Sequence, residues 1–107
     1  MDRVFKALAD RNRRALLDQL FGSDGQTLGQ LCTGAPVSRQ AVSKHLGLLE
    51  EAGLIVTYWQ GREKLHYLNA IPIQEISERW ISKYSSMRAR AVTALKRVLE
   101  EQDNGKA

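Results

Sequence analysis

The sequence predicts a mainly α-helical fold with one small β-hairpin, and three stretches carry that expectation. Apolar residues recur at i, i+4, i+7 through Val42, Leu46 and Leu49. β-branched and aromatic residues crowd Leu54-Ile55-Val56-Thr57-Tyr58-Trp59, and no glycine or proline interrupts the chain from Ile73 to about Glu101. The first pattern belongs to a helix with one buried face, the second to a strand and the third to a long helix. A length of 107 residues, 43% of them hydrophobic and 26% charged, suits one globular domain with a modest core, so a single domain over residues 1–107 is expected.

Residues 3–9 form a short helix with Val4, Phe5 and Leu8 on one side. Asp10 then caps a second helix, whose Leu16, Leu17 and Leu20 face the core while Arg11, Arg13, Arg14 and Asp18 face water. Arginines in a first turn oppose the helix dipole. They are expected either to form a solvated face or to lie against phosphate, and the sequence leaves both open. Phe21-Gly22 ends this helix and Ser23-Asp24-Gly25 turns the chain. Thr27-Leu28-Gly29-Gln30 is a capping box opening a helix of about two turns, which ends near Thr33-Gly34 with Pro36 blocking continuation.

The region 37–53 is the centre of the pattern. Ser38 is an N-cap, Val37 and Val42 are spaced for a hydrophobic staple, and Gly53 supplies a left-handed C-terminal residue. Two short capped helices with a turn of about three to four residues between them make a helix-turn-helix. The outward face of the second helix carries Ser38, Arg39, Gln40, Ser43 and Lys44 and no acid until Glu50 and Glu51. Hydroxyls, an amide and two cations in the first two turns are what a helix needs to meet base edges and phosphates. Acid at the other end opposes the dipole, so stability alone does not explain this segregation of charge.

Residues 54–69 read as a hairpin attached to that helix: Leu54–Trp59, a turn at Gln60-Gly61-Arg62-Glu63, then the alternating Lys64-Leu65-His66-Tyr67-Leu68. The architecture is therefore a winged helix-turn-helix. Arg62 and Lys64 at the wing tip are placed to reach a minor groove or its phosphates, and the bland alternative is that they keep a sheet edge soluble. From residue 73 to 101 the apolar positions Ile73, Ile76, Trp80, Tyr84, Met87, Ala91, Leu95 and Val98 form one stripe, widened by Ile81, Val92 and Leu99. A helix of this length, on the order of 40 Å, exceeds what so small a chain can cover. A homodimer joined through terminal helices is the expected cover, with Phe5, Trp80, Tyr84, Met87, Leu95 and Val98 as its contacts. A ligand pocket at Trp80 and Tyr84 is the rival expectation. The tail from Gln102 to Ala107 is polar and expected to fray.

A net charge of +4 permits an anionic partner. No apolar leader or membrane span is visible, and a single cysteine, Cys32, agrees with a reducing compartment, so a cytoplasmic location with no membrane partner is expected. One cysteine with His45 and His66 on unrelated elements offers no nucleophile, base and orienter, and no phosphate loop or paired carboxylates appear, so no catalytic residues are assigned. His45 reads as half-buried packing and Cys32 as a small buried hydrophobe. The alternative to DNA binding is a winged-helix protein-interaction module that uses the long C-terminal helix.

Val4-Phe5-Lys6-Ala7-Leu8-Ala9-Asp10, Arg13-Arg14-Ala15-Leu16-Leu17, Thr27-Leu28-Gly29-Gln30-Leu31 and above all Val37-Ser38-Arg39-Gln40-Ala41-Val42-Ser43-Lys44-His45-Leu46 resemble the ArsR-type transcriptional regulators over nearly the whole chain. Gly61-Arg62, His66-Tyr67-Leu68-Asn69 and Arg79-Trp80-Ile81 are similar to a subgroup often encoded beside lipid-transfer-like (SRPBCC) proteins. The resemblance implies a homodimeric winged helix that represses transcription from a double-stranded operator. It places Arg39 on guanine or phosphate, Gln40 on adenine, and Ser43 and Lys44 in register-holding positions. Arg11-Asn12 departs from the Pro-Thr of many relatives. Metal-responsive relatives carry Cys-x-Cys before the turn, whereas Cys32-Thr33-Gly34 keeps one cysteine, and the last helix has no histidine. No metal, no cofactor and no identifiable small-molecule effector are expected.

Overall fold

Each cap written in the sequence starts a helix in the computed structural model, which describes residues 1–105. The elements follow as α1 (Asp2–Leu8), α2 (Arg11–Gly22), α3 (Leu28–Cys32), α4 (Arg39–Glu51), β1 (Ile55–Gln60), β2 (Glu63–Leu68), α5 (Ile71–Ile76), a π-helical turn (Ser77–Ile81) and α6 (Ser82–Gly105). They divide into two compact units, Met1–Pro72 and Ile73 onward.

The first unit closes over one apolar centre. Leu16, Leu17 and Leu20 of α2, Leu31 of α3, Val42, Leu46 and Leu49 of α4, and Leu54 and Ile55 are all buried. At roughly 1.5–3 kcal/mol for each fully buried side chain, this set is the main favourable contribution to folding. In α1 the expected face is rotated. Val4 and Ala7 are the buried pair, while Phe5 is 45% exposed and Leu8 only half-buried. An i, i+3 pair is all that a seven-residue helix needs in order to dock, and that leaves Phe5 on the outside.

The caps are closed by side chains. Ser38 Oγ accepts the Ala41 N–H at 3.2 Å, and in the Thr27–Gln30 box the two residues bond each other's backbone at 3.2 and 2.9 Å. α3 is shorter than expected, five residues, and six residues from Thr33 to Ser38 separate it from α4. Asp10 Oδ1 accepts from the backbone N–H groups of Asn12 (2.8 Å) and Arg13 (3.2 Å). The Arg13 N–H above all holds the Asp10 carboxyl below the ordinary value of 3.8; desolvation acts the other way without cancelling it, and the Asn12 N–H and the Arg13 charge add to the lowering. Because the folded value is depressed, this contribution is fully present above 3.8 and is lost as pH falls through the folded value. Asp10→Asn, which keeps an acceptor without the titration, is expected to flatten the acid limb of stability. Urea midpoints from about pH 5 to about pH 2 check this, and an unaltered limb contradicts it.

The arginines of α2 correct an expectation. Arg13 is withdrawn from solvent and turns back onto α1, and Arg14 bonds α1 as well while staying exposed, as Arg11 does. Arg13 Nε donates to Ala7 O at 2.8 Å and its Nη2 to Lys6 O at 2.9 Å, while Arg14 Nη1 donates to Leu8 O at 2.8 Å. These carbonyls end α1; Lys6 O also accepts from the Ala9 N–H at 3.3 Å, and the two guanidinium groups complete the capping and oppose the helix's negative pole. Arg13 Nη1 also lies 3.3 Å from His45 Nδ1. A guanidinium only donates, so that nitrogen accepts and the ring hydrogen sits on Nε2.

β1 and β2 pair antiparallel from Ile55↔Leu68 to Gln60↔Glu63, which leaves a two-residue turn, Gly61-Arg62. Gly61 has φ +63° and Arg62 is not in the left-handed region, the combination of a type II′ turn with glycine at its first central position. Gly53, at φ +77°, ends α4 as expected. One pairing was not expected: Gln26 bridges to His66. His66 is only 5% exposed, and its Nδ1 donates to Gln26 O at 2.9 Å. It therefore clamps the start of the helix-turn-helix to the wing.

The second unit is helical throughout its described residues. The π-helical turn is a departure from the expected regular helix: the Ser82 N–H reaches Ser77 O, five residues back. The hydrogen-bond ladder there spans one residue more than in an α-helix, so the apolar stripe does not continue in strict α-helical register across Ser77–Ile81. The Arg79 guanidinium sits 5.5 Å from the Trp80 ring centroid. α6 continues to Gly105, past the point where fraying was expected, and Lys106 and Ala107 of that tail lie outside the described residues. The stripe stays at the surface, with Trp80 46%, Tyr84 65%, Met87 66%, Leu95 60% and Val98 50% exposed.

Candidate nucleic-acid interface

α4 buries Val42, Leu46 and Leu49 and thereby turns its opposite side to solvent, where Ser38, Arg39, Gln40, Ser43 and Lys44 are all exposed. The strands of the wing apply a period of two. Ile55 is buried, so Thr57 and Trp59 follow it on the same face, opposite His66 and Lys64. Helix and wing face each other across a cleft of about 720 Å³ that Arg39, Ser43, Trp59, Arg62 and Lys64 line together. Of the residues proposed from sequence, Arg39, Ser43, Arg62 and Lys64 thus converge. Ser38, Gln40 and Lys44 do not line the cleft; they occupy the exposed start and adjoining ridge of α4.

Lys64 is tethered, not free. Its Nζ lies 3.5 Å from Glu50 Oε2, and Glu50 Oε1 accepts from Thr57 Oγ1 at 3.0 Å. Glu50, whose position against the α4 dipole looked unexplained in the sequence, therefore joins the wing to the helix. With both partners about two-fifths exposed, this pair contributes at most about 1 kcal/mol and exchanges readily for a phosphate partner. Among the described residues neither Arg62, at the turn, nor Arg39 forms an ion pair. Trp59, 63% exposed and lining the cleft, was not proposed from the sequence. Strand alternation counted from buried Ile55 is the signal that would have found it, since it puts an indole where a sugar edge or base would lie.

Among the described residues, no three His, Cys, Asp or Glu side chains are grouped to hold a metal ion. Cys32 is a half-buried free thiol, less enclosed than expected. No described helix is long and apolar enough to cross a membrane.

A family profile described as a helix-turn-helix domain matches residues 8–58. The HTH-type transcriptional regulator YuzN of Bacillus subtilis (strain 168) is 35% identical over 86 residues, an overlap of 75% of this chain and 94% of that one. The transcriptional repressor SdpR of the same organism is 33% identical, over 78% of this chain and 91% of its own. Among solved structures, an ArsR-like transcriptional regulator from Rhodococcus sp. RHA1 superposes with a TM-score of 0.71 at 32% identity, over 94% of this chain and 90% of that chain. With relatives this similar over most of its length, the chain belongs to the ArsR-type family of winged helix-turn-helix transcriptional regulators.

Proposed function

We propose that this chain is a cytoplasmic repressor that binds a double-stranded operator as a homodimer and has no catalytic activity. The observation that carries the proposal is the cleft in which α4 meets the wing: Arg39 and Ser43 from one side, Arg62, Lys64 and Trp59 from the other, with Glu50 and Glu63 also in its lining. α4 enters the major groove, with Arg39 and Gln40 on base edges and Ser38, Ser43 and Lys44 holding register, while Arg62 and Lys64 lie along the backbone. The name of SdpR as a repressor supports the sign of regulation. The exposed stripe of α6 supports the homodimer, in which both units of the chain work as one winged helix-turn-helix domain with a dimerisation helix. Two copies of α4 then address half-sites one DNA turn apart, roughly 34–36 Å.

The experiment compares two substitutions on specific and scrambled duplexes. Arg39→Ala is expected to lose roughly 1–3 kcal/mol on the specific duplex and little on the scrambled one. Arg62→Ala is expected to weaken both alike and to lower the magnitude of the salt slope by about one. A uniform loss for Arg39→Ala removes it from base reading, and no loss for either variant favours the protein-interaction module.

A further inference from the structure

A second site lies behind the recognition helix, on the side away from the cleft. A cavity of about 150 Å³ is enclosed by α2, the turn before α4, and α4 itself. Leu16, Val37 and Val42 give it apolar walls, and Asn12, Gln19 and His45 add polar groups to the lining. Leu16 and Val42 are core residues, whereas Ala15, Gly34 and Pro36 are exposed, so the cavity opens to solvent at that edge. An apolar cavity of this volume takes one six-membered aromatic ring.

The polar groups define the ring's substituent. His45 Nδ1 is occupied by Arg13, which puts the hydrogen on Nε2 and makes that nitrogen a donor. The side-chain amides of Asn12 and Gln19 offer both a donor and an acceptor each. Neither amide has another hydrogen-bond partner among the described residues. We propose that this cavity is an effector site for a single-ring phenol or a close analogue, whose oxygen accepts from His45 and donates to an amide. A carboxylate on the ring fits worse, because charge placed between Leu16 and Val42 loses its water. An occupant touches Val42 and His45 of α4 and Pro36 and Val37 of the turn, so its binding is coupled to the orientation of the reading helix. The site itself stands on the first unit alone; only its effector role rests on the DNA-binding function proposed above.

The test uses phenol on the full chain, followed by backbone and methyl NMR shifts. Saturable shifts confined to Ala15, Ala35, Val37, Val42 and His45, with benzene binding more weakly, are expected. Ala15→Phe, a filling substitution at an exposed helical position, should abolish them without unfolding the chain; Gly34→Val, which fills the same cavity from the turn, serves if it does not fold. Absence of saturable shifts, or shifts that persist in a folded filled variant, overturns the site. In parallel, saturating phenol is expected to change operator affinity by at least about 5-fold in the unsubstituted chain and not in the filled variant. Identical isotherms overturn the effector role while the NMR result stands, and failure to bind DNA with or without phenol overturns the DNA-binding function and the effector role with it, leaving the cavity titration to decide the site.

Discussion

Leu95→Asp is expected to convert the protein to a monomer. Leu95 lies in the middle of the exposed stripe of α6, 60% exposed in one chain, and the proposed dimer buries it. An unpaired carboxylate there costs several kcal/mol, and two-fold symmetry counts it twice. With about 3 kcal/mol per copy, the dimer dissociation constant rises by roughly 10⁴. Sedimentation at micromolar concentration should move from twice 12.1 kDa to 12.1 kDa. The helical signal of the first unit should survive, since its core of Leu20, Leu31 and Leu49 is built without α6. Trp80→Ala should act in the same direction but less, because a lost contact costs less than a stranded charge. A Leu95→Asp variant that still sediments as a dimer would falsify the assignment of this face.

Arg13→Ala is expected to destabilise the fold by about 2–3 kcal/mol, an unusual loss for an arginine. Its side chain is only 15% exposed and makes two bonds to the carbonyls ending α1, a third to His45 and a long ion pair to Asp10 at 3.9 Å. Removing it takes the side-chain donor from Ala7 O, leaves Lys6 O with the Ala9 N–H alone, and loosens α1 from α2 and α4 together. Lysine should recover less than half, because one ammonium does not span Lys6 O, Ala7 O and His45 in a plane. Urea unfolding monitored by circular dichroism measures this. A change below about 0.5 kcal/mol would show that Arg13 is the solvated residue that its sequence position suggested.

Arg13 also shows where sequence stops being legible. The caps at Asp10, Thr27 and Ser38, the stop at Gly53 and the turn at Gly61 were readable because each is decided within two to four residues. The buried faces of α2 and α4 were readable because helical period leaves one solution for three leucines or for Val42, Leu46 and Leu49. Arg13 meets His45 across 32 residues, and His66 meets Gln26 across 40, and no periodicity marks either partner. The π-helical turn at Ser77–Ile81 was invisible for another reason: a single added residue leaves an apolar stripe that still reads as regular. In the site, the outward residues of α4 followed from its buried ones. Glu50, Thr57 and Trp59 needed the wing to be folded against the helix before their roles could be seen.

The central claim is that α4 and the wing together read DNA sequence, and binding isotherms of the unsubstituted chain test it most directly. The two duplexes are the DNA upstream of its own gene and a scrambled version of equal length, each titrated at several salt concentrations. The upstream duplex is predicted to bind at least about 10³-fold more tightly near physiological salt, with log affinity on both falling linearly as log salt rises. Equal affinity for the two duplexes, or affinity for neither, would contradict the account.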